Sequence, residues 1–62
     1  MTQLARLRTV PETAIELAVS ERLVWRLVQS GDIETVKIGK ARRIPVESIV
    51  AYIERLKAES AA

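Results

Sequence analysis

Apolar residues recur at helical spacing in three stretches of the chain, and two short β-type stretches lie between the second and the third. The first stretch places four residues on one helical face: Val10, Ala14, Leu17 and Ala18. It predicts a first helix over residues 10–18, because residues three and four positions apart share a face. Thr9 is the expected N-cap, and Glu12 can complete a capping box with it.

The second stretch predicts a second helix that starts after the N-cap Ser20 and runs to about Gln29. One face of this helix collects Ser20, Val24, Leu27 and Val28, and the opposite face collects Arg22, Arg26 and Gln29. The apolar and the cationic faces are therefore separated. Ser30 and Gly31 end the helix, since glycine readily adopts the left-handed conformation that is common at this position.

A two-stranded hairpin and a third helix follow. Residues 36–38 and 42–44 are rich in β-branched or long side chains and flank a turn at residues 39–41. The two apolar residues of the first strand alternate with Lys37, which gives one apolar and one charged face. A lone hairpin is marginal in water, so we expect this hairpin to lean on the helices. Pro45 ends the second strand and can open helix 3. The apolar stripe of helix 3 consists of Ile49, Tyr52, Ile53 and Leu56.

The length of 62 residues allows one small domain. We expect residues 1–8 to form a tail with little structure, residues 9–57 to form the domain, and residues 58–62 to fray. Only 3% of the residues are aromatic, so the core is thin and a bound partner is expected to add stability. The sequence has neither a signal-peptide pattern nor an apolar run near the roughly 18 residues of a membrane span, which favours a cytoplasmic protein without a membrane partner.

Candidate catalytic chemistry is scarce. Cysteine and histidine are absent, which excludes disulfides, thiolate chemistry and the usual zinc ligand sets. Asp32 and Glu34 are closely spaced carboxylates, but they follow a helix stop in a polar turn. We expect them to be solvated there and not to form an acid/base pair. Gly39 and Lys40 lack the other residues of a phosphate-binding loop. We therefore expect no enzyme, no catalytic residue, no metal and no cofactor.

The distribution of charge matters more than the net charge of +2. Between residues 22 and 43 the chain carries six cations and only two acids, Asp32 and Glu34. The six cations are Arg22, Arg26, Lys37, Lys40, Arg42 and Arg43. They lie on the second helix and the hairpin, and such a local positive face favours a nucleic acid as partner.

The outward face of helix 2 is the candidate surface for DNA bases. Arg22 and Arg26 are one turn apart, and an arginine can bridge guanine O6 and N7. The other candidate contacts on this helix are Ser20, Glu21, Leu23, Trp25 and Gln29. Structural roles are the alternatives for three of them: Glu21 can act as an electrostatic cap, Leu23 can edge the core, and Trp25 can pack beneath the hairpin.

The hairpin cations are candidates for phosphate or minor-groove contact. They are Lys37, Lys40, Arg42 and Arg43, and no acid lies among them. The alternative is that they are strand charges which keep an exposed edge from aggregating.

The chain resembles the excisionase-type and MerR-like winged helix-turn-helix DNA-binding domains from Thr9 to Ile53. The resemblance is carried by residues 9–12, Ala14, Leu17, residues 19–20, 24–28, 30–33, 36–40, 43–45 and 51–53. Two positions depart from the family pattern, which usually has glycine where Ala18 stands and often an aromatic residue where Arg42 stands.

The resemblance implies a small α+β winged helix-turn-helix, in which helix 2 enters the major groove and the hairpin is the wing. It implies a phage or mobile-element excisionase that binds double-stranded DNA cooperatively near an attachment site, bends it and directs an integrase towards excision. The implied partners are double-stranded DNA, an integrase and further copies of the protein on the DNA. Two alternatives stay open: a small MerR-like transcriptional regulator that binds an operator, and a protein-interaction adaptor without DNA binding that uses Ile15, Val50 and helix 3.

Overall fold

A computed structural model describes residues 6–61 of the protein. The elements in chain order are β1 (Leu7–Arg8), α1 (Val10–Leu17), α2 (Glu21–Ser30), β2 (Val36–Ile38), β3 (Ala41–Pro45) and α3 (Val46–Ala61). The strands form one antiparallel sheet in the order β1-β3-β2. This arrangement is a small α+β winged helix-turn-helix, in which α1 and α2 are the two helices of the motif and the β2–β3 hairpin is the wing.

Capping interactions fix the starts of both motif helices. The Thr9 hydroxyl accepts from the Glu12 N–H at 3.2 Å, and the Thr9 N–H donates to Glu12 Oε1 at 2.9 Å, which confirms the predicted capping box. The Ser20 hydroxyl accepts from the Leu23 N–H at 3.1 Å and confirms Ser20 as the second N-cap. Each cap satisfies a backbone N–H that has no partner within its own helix.

Left-handed residues end both motif helices. Gly31 has a φ of 84° and its N–H donates to the last turn of α2, as the sequence predicts. Ala18 has a φ of 59° and is the C-cap of α1, so the prediction that helix 1 includes Ala18 is wrong by one residue. An alanine in this conformation is strained, because its Cβ lies close to the following carbonyl oxygen.

The core lies where the three helices meet β3. Its buried residues are Val10, Thr13, Ala14, Val24, Leu27, Ile33, Ile44 and Ile49. The Thr13 hydroxyl is satisfied by the Thr9 carbonyl oxygen at 2.9 Å. Ile33 was not among the predicted core residues, because a single apolar residue after a helix stop has no periodicity to reveal it. Conversely, Ala18 and Ser20, assigned to inward faces, are exposed.

The N-terminal segment is more structured than predicted. Leu7 and Arg8 form β1 against β3, and the Val46 N–H donates to the Arg6 carbonyl at 2.9 Å. The prediction of a tail through residue 8 is therefore wrong for Leu7 and Arg8, whereas residues 1–5 lie outside the described part. A strand of two residues is too short to show a side-chain pattern in the sequence. It forms because the edge of β3 offers backbone groups that need a hydrogen-bond partner.

Helix α3 differs from its prediction at its C-terminal end. Pro45 is the last residue of β3, as predicted, and the helix begins directly after it. It then runs without a break from Val46 to Ala61, where fraying from residue 58 was expected. The last turns are rich in Ala, Glu, Lys and Arg, which favour helix. Arg55 ties the helix to the loop after α2, because its guanidinium lies 3.1 Å from Asp32 Oδ1 and 5.5 Å from the Tyr52 ring centroid.

Candidate nucleic-acid interface

Helix α2 presents the predicted cationic face to solvent. Val24 and Leu27 are buried on its inner side, which turns the opposite side outward. Arg22, Arg26 and Gln29 are all exposed there, as predicted. Because caps at both ends and a buried inner side fix the helix, these three side chains project from a rigid element.

Of the other candidate DNA contacts on α2, some have a structural role and others are exposed. The Ser20 side chain is engaged as the N-cap, and Leu23 is half-buried against the core. Glu21 is exposed in the first turn, where a carboxylate interacts favourably with the helix dipole. Trp25 is 42% exposed and stands at the border between α2 and the wing.

The wing holds its four cations in two different ways. Lys37 and Lys40 are exposed. Arg42 and Arg43 are half-buried and fixed: Arg42 Nη1 donates to Thr35 Oγ1 at 2.6 Å, and Arg43 Nη1 donates to the Arg42 carbonyl at 2.9 Å. An arginine has five N–H donors, so each fixed guanidinium keeps donors available for a ligand.

Salt bridges divide the cations of the described residues into two groups. The four ion pairs within residues 6–61 join Arg6 to Glu47, Arg8 to Glu16, Arg55 to Asp32, and Lys57 to Glu54. The six cations of α2 and the wing take part in none of these pairs. We call these six, Arg22, Arg26, Lys37, Lys40, Arg42 and Arg43, the cationic face. Their charge thus has no salt-bridged carboxylate within residues 6–61, although Glu12 is near enough to Arg43 to feel its charge.

A groove separates the wing from the start of α1 and from α2. It has a volume of about 480 Å³, and its lining residues are Thr9, Val10, Pro11, Trp25, Lys37, Lys40, Ala41, Arg42 and Arg43. All four wing cations therefore lie along one concavity with an indole at its side. A groove of this composition can hold a chain of phosphates by charge and can offer the indole N–H as a further donor.

Glu12 belongs to the capping box of α1 and also feels the charge of Arg43 in the groove. Its pKa lies below the ordinary value of 4.5, chiefly because the Thr9 N–H donates to the carboxylate; the Thr9 side chain and the charges of Arg8 and Arg43 act in the same direction, and desolvation opposes them. The capping box thus favours the ionised form of Glu12.

The wing leans on the helices, as predicted, but it does so through β3 and not through the apolar side of β2. Val36 is 41% and Ile38 is 57% exposed, so the apolar side of β2 does not lean on the helices. The register explains this difference: Val36 pairs with Arg43 and Ile38 with Ala41, whereas Lys37 pairs with Arg42 and shares a sheet face with buried Ile44. Strand alternation alone predicted two faces, but it could not show which one the core uses.

Residues 6–61 contain no cluster of acidic side chains that could hold a metal ion, and no helix among them has the length and apolar character needed to span a membrane. What the cationic face offers chemically is positive charge and directional N–H donors on a helix and an adjacent hairpin. These groups suit the binding of a polyanion.

Comparisons with known proteins agree with the fold. Residues 9–57 match the family described as "Helix-turn-helix domain". A protein of Saccharopolyspora erythraea named "Probable excisionase" is 45% identical over 56 residues, which cover 90% of this chain and 57% of the relative. The chain thus spans little more than half the length of that curated relative. No solved structure gave a significant match. Because the family match covers most of the chain, the protein belongs to the helix-turn-helix domain family.

Proposed function

We propose that the protein is a sequence-specific binder of double-stranded DNA that acts as an excisionase. The observation that carries the DNA-binding part is the division of the cations: those of α2 and the wing have no carboxylate partner, whereas the ion pairs lie elsewhere on residues 6–61. The helix-turn-helix is a motif in which the second helix occupies the major groove. The charge and the motif therefore converge on the same helix.

In this proposal α2 contacts base edges and the wing contacts the adjacent backbone. A helix with its side chains is about 10–12 Å across, which fits a major groove about 12 Å wide, and the 10 residues of α2 extend about 15 Å along it. Arg22 and Arg26 face the bases, with Gln29 at the far end of the helix. Lys37, Lys40, Arg42 and Arg43 neutralise phosphates, and Trp25 lies beside the same strand.

The excisionase part rests on the relative named "Probable excisionase". One module of this kind buries only roughly 600–1,000 Å² on DNA. Such a module gains affinity when several copies bind neighbouring sites, and we propose that this protein loads cooperatively near an attachment site and directs an integrase towards excision. A bent DNA path is part of the same proposal, since bending brings distant recombinase sites together.

The first experiment measures binding of the full chain to random duplex DNA at low salt by fluorescence anisotropy. With about 4–6 phosphates neutralised, log K should fall with log salt at a slope near −4 to −5. If the protein did not bind the duplex even at low salt, the adaptor alternative would replace this proposal.

The second experiment separates excision from regulation. The protein is added to purified integrase of the same element and a substrate with both attachment sites. An excisionase increases the yield of excised circle and decreases the reverse reaction. DNA binding without any change in recombination would favour a transcriptional regulator.

A further inference from the structure

The most exposed apolar side chain of the wing stands at its tip. Ile38 is the last residue of β2 and is 57% exposed. Gly39 follows with a φ of 60°, and Lys40 completes a two-residue turn to β3. A left-handed glycine at the first turn position is the requirement of a tight type II′ hairpin turn. The turn therefore holds Ile38 next to the outermost point of the wing.

The fold gives Ile38 no cover. Its cross-strand partner is Ala41, whose side chain is a single methyl group, and all three residues of β2 are exposed. An isoleucine in this place adds β-propensity, but it gains little from burial in the free protein. The side chain is thus available to a partner.

The charges around Ile38 distinguish it from the other exposed apolar residues. Lys37 and Lys40 flank it, and residues 36–44 contain no acid. Ile15, by contrast, is adjacent to Glu16, and Val50 stands one turn from both Glu47 and Glu54. An apolar side chain flanked by lysines that form no salt bridge within residues 6–61 fits a partner with a negatively charged backbone and an apolar surface between its charged strands. Duplex DNA has this character at a groove.

The lining of the protein's own groove indicates which groove of the DNA Ile38 can reach. All four wing cations line the groove beside Trp25 and α2, where the proposed function places a phosphate strand. Ala41, the cross-strand neighbour of Ile38, lines it as well, whereas Ile38 itself is not among its lining residues. If α2 occupies the major groove and the phosphates run between α2 and the wing, the next groove beyond those phosphates is the minor groove. The wing tip, where Ile38 stands outside the lining of the protein's groove, faces it.

We infer that Ile38 is an apolar minor-groove contact, which inserts against the base-pair edges at the wing tip and bends the duplex there. The inference rests on the proposed DNA binding and deepens it. Apolar side chains that enter the minor groove partly unstack a base step and bend the DNA towards the major groove. Lys37 and Lys40 hold the tip to the flanking phosphates while Ile38 contacts the bases.

The test compares Ile38→Thr with Val36→Thr on a bound duplex. Both substitutions keep a β-branched residue on the same side of β2, but Val36 lies about 7 Å further from the tip. We expect Ile38→Thr to weaken binding roughly tenfold, as for loss of most of one buried aliphatic contact. The salt slope should stay unchanged, because no phosphate contact is lost. Val36→Thr should bind as the unsubstituted protein does.

Three further measurements locate the contact. Energy transfer between labelled duplex ends reports the bend, and 2-aminopurine placed along the site reports unstacking; both signals should fall in Ile38→Thr. Methylation protection at adenine N3, in the minor groove, should be lost, whereas protection at guanine N7, in the major groove, should remain. Ile38→Leu should restore all three signals. Melting curves of every variant should coincide, since Ile38 is exposed.

The possible results separate the inference from the proposed function. Failure of the unsubstituted chain to bind duplex would overturn both. Binding and bending by Ile38→Thr at the level of the unsubstituted protein would overturn the inference alone. A decrease in the salt slope, or an equal loss in Val36→Thr, would also overturn it, because either result would mean that the wing as a whole had been displaced.

Discussion

Helix α2 and the wing carry the same kind of charge but are held in place very differently. On α2, Val24 and Leu27 are buried, and both ends are capped. On β2 every residue is exposed. The wing is joined to the body through β3, where Ile44 is fully buried and pairs with β1 on the side away from β2. Helix α2 is thus fixed along its whole length, whereas the wing is fixed only at its base, through β3.

This difference assigns different tasks to the two regions. Reading a base edge requires a donor held in a defined position and direction, which a packed helix supplies. Neutralising a phosphate requires only proximity, and flexible lysines at a hairpin turn suffice for it. We therefore expect sequence preference to depend on α2 and general affinity to depend on the wing. Four variants test this comparison of α2 and the wing, in order of decreasing effect.

The largest effect is expected at the base of the wing. Ile44→Ala should lower the free energy of unfolding by about 2–5 kcal/mol, the range for truncation of a fully buried isoleucine. A core of this size supplies only roughly 3–5 kcal/mol, so the variant should be largely unfolded at 25 °C. Urea denaturation followed by circular dichroism measures the change.

Val36→Ala is the matched control, because it truncates a half-exposed aliphatic residue of the same hairpin. It should change the free energy of unfolding by no more than about 0.5 kcal/mol. Similar losses in Ile44→Ala and Val36→Ala would mean that β2 is packed as firmly as β3, and the contrast between helix and wing would disappear.

The second effect concerns the exposed lysines of the wing. Replacing Lys37 and Lys40 together with alanine should reduce the salt slope of log K by about 1.8, which corresponds to two phosphates. The loss should be equal on specific and random duplexes. Lys57→Ala is the control, because Lys57 is an exposed lysine that pairs with Glu54 on α3. If Lys57→Ala changed the slope as much per residue, the effect would be one of net charge and not of the wing.

The third effect concerns the helix. Arg26→Ala should reduce the discrimination between the specific site and random duplex by about 1–3 kcal/mol, since a bidentate arginine contact to guanine is lost. Competition binding against random duplex measures this difference. The control is Arg6→Ala, which removes an exposed arginine paired with Glu47 outside the cationic face. If Arg26→Ala reduced the affinity for both duplexes equally, Arg26 would contact the DNA backbone and not the bases. The proposed division of tasks would then be wrong.

Local sequence signals predicted the elements better than their packing. Caps, stops and periodicity identified three helices and the hairpin, because each signal acts within a few residues of the feature it fixes. Thr9 with Glu12, Ser20 and Gly31 all do in the structure what their types predict. The same signals separated Arg22 and Arg26 from the buried face of α2.

The features that sequence reasoning missed depend on contacts between distant residues. The burial of Ile33 requires the whole core, and β1 exists because β3 has an edge for Leu7 and Arg8. The orientation of the wing requires the strand register, which places Ile44 rather than Val36 against the core. The pairing of cations with acids likewise needed the fold, since Asp32 meets Arg55 from 23 positions away.

The smallest effect is expected at the turn between α1 and α2, where the rigid region carries its own strain. Ala18 has a φ of 59°, so Ala18→Gly should relieve about 1 kcal/mol of backbone strain and lose part of that gain to the greater freedom of glycine in the unfolded chain. The net gain should be about 0.5 kcal/mol, seen as a rise in Tm of roughly 2–4 °C. Gly31→Ala is the counterpart at the other end of α2: its φ is 84° and a Cβ there would meet nothing within 4 Å, so the substitution changes conformational energy alone. It should lower stability by a similar amount. Because neither residue belongs to the cationic face, both variants should keep the salt slope of the unsubstituted protein. A changed slope would mean that these turns also set the position of the wing. Helix α2 and the wing would then be coupled more tightly than their packing suggests.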